Sequence, residues 1–226
     1  MDTWVSIKYE CAPPVQDHSS DRWQWQPDLD NGYTVRGAYQ SLTTQDAVHL
    51  DDAADFIWHS QVPLKVSILA WRLLWDRLPT KVNLITRGIL PAVAHYCVSG
   101  CREVESAQHL FLSCSTFGSL WSLVSSWIGS SLVMAQTLSD HFVQFTISAG
   151  GSRARRSFMQ LIWLACVWVV WTERNHRLFR GSANSSLHML DRIKTFSYRW
   201  LKATNNTLAL NCHSWWSCPM LCLGFV

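Results

Sequence analysis

The 226-residue sequence predicts a mainly α fold: a small helical domain with a short N-terminal β-hairpin, followed by two long C-terminal helices. Three observations carry that prediction. Apolar residues recur at helical spacing between Leu64 and Trp75 and again between Phe117 and Ile128. Two longer helical stretches, 156–180 and 185–202, close the chain. Between these groups, Cys97 to Cys114 gathers three of the eight cysteines and one histidine within eighteen residues.

Taken in order, residues 1–22 mix proline, aspartate and serine without periodicity and are expected to form a loosely ordered leader. Trp23, Trp25, Tyr33 and Val35 flank an Asp30-Asn31-Gly32 turn signal, which predicts a two-stranded hairpin. Thr34 is placed to cap a short helix through Tyr39 and Leu42, and the acidic stretch 43–55 reads as a solvated connection.

Pro63 suits the first turn of a helix carrying Leu64, Ile68, Trp71 and Trp75, and Pro79 ends that run. Thr80 caps a second short helix, Lys81 to Arg87, closed by Gly88, so the two form a helical hairpin. Phe117, Leu120, Trp121, Val124, Trp127 and Ile128 share one helix face that stops at Gly129. Residues 130–155 carry little signal and are expected to link the domain 23–129 to a helical extension, 156–226. On that extension Glu173 and Arg177 make a favourable i, i+4 pair.

Composition narrows the function classes. With 48% hydrophobic residues the chain can bury a core, as one domain or two small ones. Only 15% of residues are charged, and 14 Trp, 9 Phe and 5 Tyr predict an aromatic surface that meets a partner. A net charge of +3 permits nucleic-acid contact without a strongly basic tail. The start, MDTWVSIKYECAPP, lacks the basic and apolar regions of a signal peptide, so an intracellular location, cytoplasmic or nuclear, is expected. In a reducing compartment clustered thiols are more often metal ligands than disulfides. The longest apolar run, Phe158 to Trp171, contains Gln160 and falls short of the ~20 residues that span a bilayer. It reads as a core helix, with no membrane partner.

Cys97, Cys101, His109 and Cys114 follow the spacing C-x3-C-x7-H-x4-C. Zinc favours four tetrahedral thiolate and imidazole ligands, and the short turn at Gly100 lets the first two cysteines reach one ion. Ser106 can cap a helical turn that presents His109 and then Cys114. Four protein ligands leave no position for water, so one structural zinc is expected. The competing readings are ordinary buried cysteines with a core histidine, replacement of one ligand by His95, and a second metal at Cys212, His213, Cys218 and Cys222.

The ordered series W-x-W, GYTVRGAY (32–39), IW (57–58), PLKV (63–66), AWRLL (70–74), RLPTKVNL (77–84), RG (87–88), C…C…E…HLFLSC and Trp121 resembles the plant reverse-transcriptase zinc-binding domain of non-LTR, LINE-type retrotransposon polyproteins. The resemblance covers roughly Trp23 to Trp127, and WxxWTERN (168–175) resembles the extension that follows this domain in plant elements. It implies Cys97, Cys101, His109 and Cys114 as zinc ligands, although the first pair is C-x3-C here where the family usually has C-x2-C. It also implies assistance in holding template or element RNA.

Catalysis is not expected. Asp51-Asp52 lacks the preceding aromatic of a polymerase centre, no P-loop or G-x-S-x-G is present, and Asp140, Glu173 and Asp191 are the acidic residues beyond position 120. A terminal piece of a mobile-element protein is the expectation. Lys65, Arg72, Arg77, Lys81 and Arg87 on the helical hairpin are candidate contacts to RNA or single-stranded DNA, with Trp71 or Trp75 stacking on bases. The alternatives are a module that docks through exposed aromatics on the polymerase region or another protein, and a decayed fragment without its own function.

Overall fold

The computed structural model describes residues 57–148, 150, 152–204 and 212–224. The chain divides into two units, Met1–Ala47 and Val48–Val226, and all described residues belong to the second. The predicted leader, the Trp23–Val35 hairpin, the helix after Thr34 and the connection 43–55 lie outside the described residues.

Among the described residues the fold is mainly helical and contains no extended strand. Helix α1, Leu64–Leu74, buries Val66, Leu69, Ala70, Leu73 and Leu74 and stops before Asp76, which takes a left-handed φ of 47°. The turn to α2, Lys81–Thr86, is locked by side chains: Thr80 Oγ1 accepts from the Asn83 N–H at 3.3 Å. Asn83 Nδ2 in turn donates to the carbonyls of Asp76 and Leu78, each at 2.9 Å. The two predicted helices are therefore present, with the Thr80 cap at the start of the second.

A 3-10 turn at Ala92–Ala94 leads into the cysteine segment, described below. Helix α3, Leu120–Ile128, is closed by Gly129, whose φ of 71° suits a residue without a Cβ. Helix α4 spans Leu138–Ile147, α5 Arg153–Arg180 and α6 Ser186–Thr204. Two short helices, α7 at Cys212–Ser217 and α8 at Pro219–Cys222, end the described chain.

Helix α5 is the central post, packed by α1, α4 and α6. Every residue from Phe158 to Val167 on it is buried, because a helix that is apolar on all sides is stable only with neighbours all round. The Phe158–Trp171 run is thus the core helix the sequence predicts, and no described helix is long and apolar enough to cross a membrane.

Two expectations change. The stretch 130–155, read as a linker, contains α4, capped by Thr137 Oγ1 accepting from the Asp140 N–H at 3.1 Å. Its buried face is Leu138, His141, Phe142, Phe145 and Thr146, so two of five core positions carry residues a hydropathy reading counts as polar. The predicted aromatic surface is also mostly internal: among the described residues the exposed rings of this kind are Trp58, Tyr96 and Phe179. Trp121 packs on Phe145 and Trp163, and the tail's Trp215 is fully buried between Trp127 and Phe158.

Candidate metal centre

The cysteine segment folds as a tight turn facing a distorted helical turn. Tyr96 and Val104 form an antiparallel bridge, the Cys97 N–H donates to the Glu103 carbonyl at 2.8 Å, and the Glu105 N–H donates to the His95 carbonyl at 2.9 Å. Gly100 and Arg102 take left-handed φ values of 81° and 65°, which bring the chain round so that Cys97 and Cys101 face the same point.

The other two donors come from 106–114. Ser106 Oγ accepts from the His109 N–H at 3.0 Å, as the sequence predicts. Beyond it His109–Ser113 winds as a π-turn, closed by the Cys114 N–H donating to the His109 carbonyl at 2.8 Å. A single wide turn of this kind re-aims side chains and is common at functional sites. Here it places His109 and Cys114 five residues apart on one side. The Phe111 carbonyl inside it accepts from Trp121 Nε1 at 2.7 Å, which explains why a tryptophan follows the cluster.

The four donor atoms of Cys97, Cys101, His109 and Cys114 lie within 4.8 Å of one another. A tetrahedral zinc with ordinary Zn–S and Zn–N bonds places neighbouring donors about 3.5–3.8 Å apart, so modest inward motion completes the geometry. Cys101 Sγ already lies 3.2 Å from His109 Nε2, while His109 Nδ1 lies 3.3 Å from Ser113 Oγ. That second contact orients the ring with Nε2 toward the sulfurs, the usual arrangement around a metal-ligating histidine. Cys97, Cys101, His109 and Cys114 are positioned to bind one zinc ion.

The surroundings favour a thiolate at Cys114. Ser99 Oγ lies 3.3 Å from Cys97 Sγ and 3.2 Å from Cys114 Sγ. Backbone N–H groups of Thr116 and Phe117 also point at Cys114. Hydrogen bonding from the Cys97 thiol lowers Cys114 to about 4, and the same shared proton raises Cys97 well above the ordinary thiol range. A metal ion displaces that proton and takes both sulfurs.

Sequence reasoning missed the residue that anchors the site to the rest of the molecule. Glu105 is fully buried, and its carboxylate accepts from the N–H groups of Val98 and Lys81, each at 3.2 Å. Arg174 on α5 donates to the same carboxylate through Nε at 3.1 Å and Nη2 at 2.6 Å. One carboxylate thus joins the cysteine turn, the start of α2 and the central helix. The available signal was the WTERN motif: Arg174 holds Glu105, and Glu173 accepts from Arg177 at 2.9 Å and from the Asn184 side chain at 2.7 Å.

Gly118 is a second unforeseen requirement. A Cβ there would fall 2.8 Å from the Cys114 carbonyl oxygen and closer still to that of Leu112.

His95 Nδ1 is 2.7 Å from the Ala92 carbonyl and its ring packs on Tyr96. Among the described residues the tail donors do not gather: His213, Cys218 and Cys222 form no ligand group, and the Cys212 side chain lies outside the described residues.

The five cations are spread along the hairpin. Lys65, Arg72, Arg77 and Arg87 are exposed, while Lys81 is partly buried with Nζ donating to the Tyr96 carbonyl at 2.6 Å. Lys65 lies over the Trp168 ring at 5.1 Å, and Arg77 over Trp71 at 5.2 Å. Trp71 and Trp75 are half-buried.

Three cysteines and a histidine gathered in a helical domain mark a zinc-binding module. Residues 33–121 match the family described as zinc-binding in reverse transcriptase, a span that contains all four donors and ends on Trp121. The match supports a reverse transcriptase zinc-binding domain over that part of the chain. No curated protein and no solved structure matches the chain.

Proposed function

We propose that the chain is a structural zinc-binding module from the C-terminal part of a LINE-type, plant retrotransposon reverse transcriptase, and that it helps hold RNA or single-stranded DNA template without catalysing a reaction. The observation that supports it most is the convergence of four donors inside the span that matches the reverse transcriptase zinc-binding family. Cys97, Cys101, His109 and Cys114 are the ligands of one closed, structural zinc. The domain takes in 23–129 and the extension 156–226 docks on it, through the Glu105–Arg174 pair.

Lys65, Arg72, Arg77 and Arg87 supply the phosphate contacts, being exposed on the hairpin beside the metal centre. Lys81 contributes less, since its ammonium is already held by the Tyr96 carbonyl. Trp71 and Trp75 are half-buried and carry the Arg77 guanidinium on their faces, which leaves them as supports for Arg77 more than as free stacking platforms. The module is assigned to the cytoplasm or nucleus, working beside a polymerase region. The test is salt-dependent binding of single-stranded RNA by the full chain. Arg72→Gln with Arg77→Gln should weaken binding and flatten the dependence of log K on log salt by about 1.4, roughly 0.7 per lost contact. Wild-type protein that binds no RNA at low salt would refute the reading.

A further inference from the structure

An open cleft of about 870 Å³ lies between the segment around Trp58 and the N-terminal turns of α5, away from the metal centre. Arg153 and Arg156 line it and are exposed, and among the described residues no carboxylate lines it. It therefore carries net positive charge at the positive end of a 28-residue helix, whose Ser152 cap accepts from the Arg155 N–H at 3.2 Å.

Charge and a helix end alone describe many solvated surfaces. Gln160 is the feature that does not fit such a surface. It lies one to two turns further along the same face as Arg153, Arg156 and Ser157, is only 8% exposed and lines the cleft, and its amide is not among the fully buried polar groups without a partner, so it opens onto the cleft. An amide held at the floor of a cleft offers a donor and an acceptor to whatever enters it. Across the cleft, Trp58 is 48% exposed, an unusual position in a chain whose other described tryptophans are buried or half-buried. His59 holds the wall in place, its Nε2 2.7 Å from Ser157 Oγ.

We infer that this cleft binds a nucleotide of single-stranded nucleic acid, with Arg153 and Arg156 on the phosphates, Trp58 stacked on a base and the Gln160 amide hydrogen-bonded to that base's edge. Phosphate alone would use the arginines and leave Trp58 and Gln160 without a role. An acidic peptide would satisfy the Gln160 amide through its backbone but would bring no π face to Trp58. A base supplies both a π face and an edge of donors and acceptors. The inference rests on the template-holding reading and adds to it a second contact on the C-terminal extension.

The experiment uses the full chain and a fluorescently labelled single-stranded oligoribonucleotide about ten residues long, a typical single-strand site size. Anisotropy is measured across a salt series for wild type, Arg153→Gln with Arg156→Gln, Trp58→Ala, Gln160→Leu, and Arg72→Gln with Arg77→Gln. The arginine pair at the cleft should flatten the salt slope by about 1.4. Trp58→Ala should weaken binding about ten-fold or more with the slope unchanged, since stacking is not ionic. Gln160→Leu should weaken binding while the fold, read by circular dichroism, is kept or strengthened. Binding that responds to Arg72 and Arg77 but not to the cleft variants overturns this inference and leaves the template-holding reading intact. Absence of any binding by wild type overturns both. Displacement of the oligonucleotide at lower concentration by a poly-glutamate peptide than by unlabelled RNA, or full competition by millimolar inorganic phosphate, also overturns it.

Discussion

The cysteine segment and the α5 post reach order by opposite routes. Helix α2 and the 92–94 turn bury no residue at all, whereas α5 buries Phe158 to Val167 without a break. The cysteine segment buries Leu110, Phe111 and Phe117 and adds four metal donors to them, whereas α5 rests on its core alone. A metal ion can thus add to apolar burial where a segment is short. The two regions meet at the buried Glu105–Arg174 pair, so the contrast can be probed from either side or at the join.

Metal removal should have the greatest consequence. Zinc contributes on the order of 10–16 kcal/mol to the folding of isolated zinc peptides, so a strong chelator should release the amides of 95–118 to exchange. The amides of α5 and α6 should stay protected. Loss of protection in both regions together would show that they fold as one unit and would erase the contrast.

Next comes the join. Arg174→Ala leaves a fully buried carboxylate without its charge partner and should cost about 3–5 kcal/mol by denaturant unfolding. Replacing both members, Glu105→Leu with Arg174→Met, should recover part of that loss, because an apolar pair needs no desolvation. The N–H groups of Val98 and Lys81 would still lack their acceptor, so recovery should be incomplete.

The core side of the contrast has a pH signature. His141 is buried against Trp121, with Nδ1 accepting from Trp163 Nε1 at 3.1 Å, and burial lowers its pKa to about 4. The unfolded chain, with an ordinary imidazole near 6.5, binds the proton first, so folding weakens as pH falls from that value toward 4. Below both values the loss levels off at up to about 3 kcal/mol. Comparing His141→Phe with wild type between about pH 7 and about pH 4.5 isolates this contribution, since acid release of metal is common to both proteins. A stability difference that does not change with pH would contradict it.

Gly118→Ala should have the mildest effect of the four. The added Cβ meets backbone oxygens of Leu112 and Cys114, which cannot swing aside, and should cost about 1–3 kcal/mol. The readout is a weaker zinc affinity with an unchanged far-ultraviolet signal from α5 and α6.

Much of this was legible in the sequence because it is local. The donor spacing, the Ser106 and Thr80 caps, Gly129 and the Glu173–Arg177 pair all act within a few residues and leave a pattern. What was not legible is long-range. Glu105 and Arg174 are 69 residues apart, and although the WTERN motif singles out Arg174, nothing in the sequence pairs it with Glu105. Helix α4 was hidden because His141 and Thr146 occupy core positions, and the surface aromatics were misjudged because α7 and α8 carry Trp215 back into the core.

Whether the cysteine segment is a metal clamp is decided by metal content under native mass spectrometry, with wild type beside Cys114→Ser. One zinc per chain is expected in the wild type and none in the variant, whose 95–118 amides lose protection while α5 keeps its own. A folded wild type that carries no metal, with the 95–118 amides protected, would contradict the clamp.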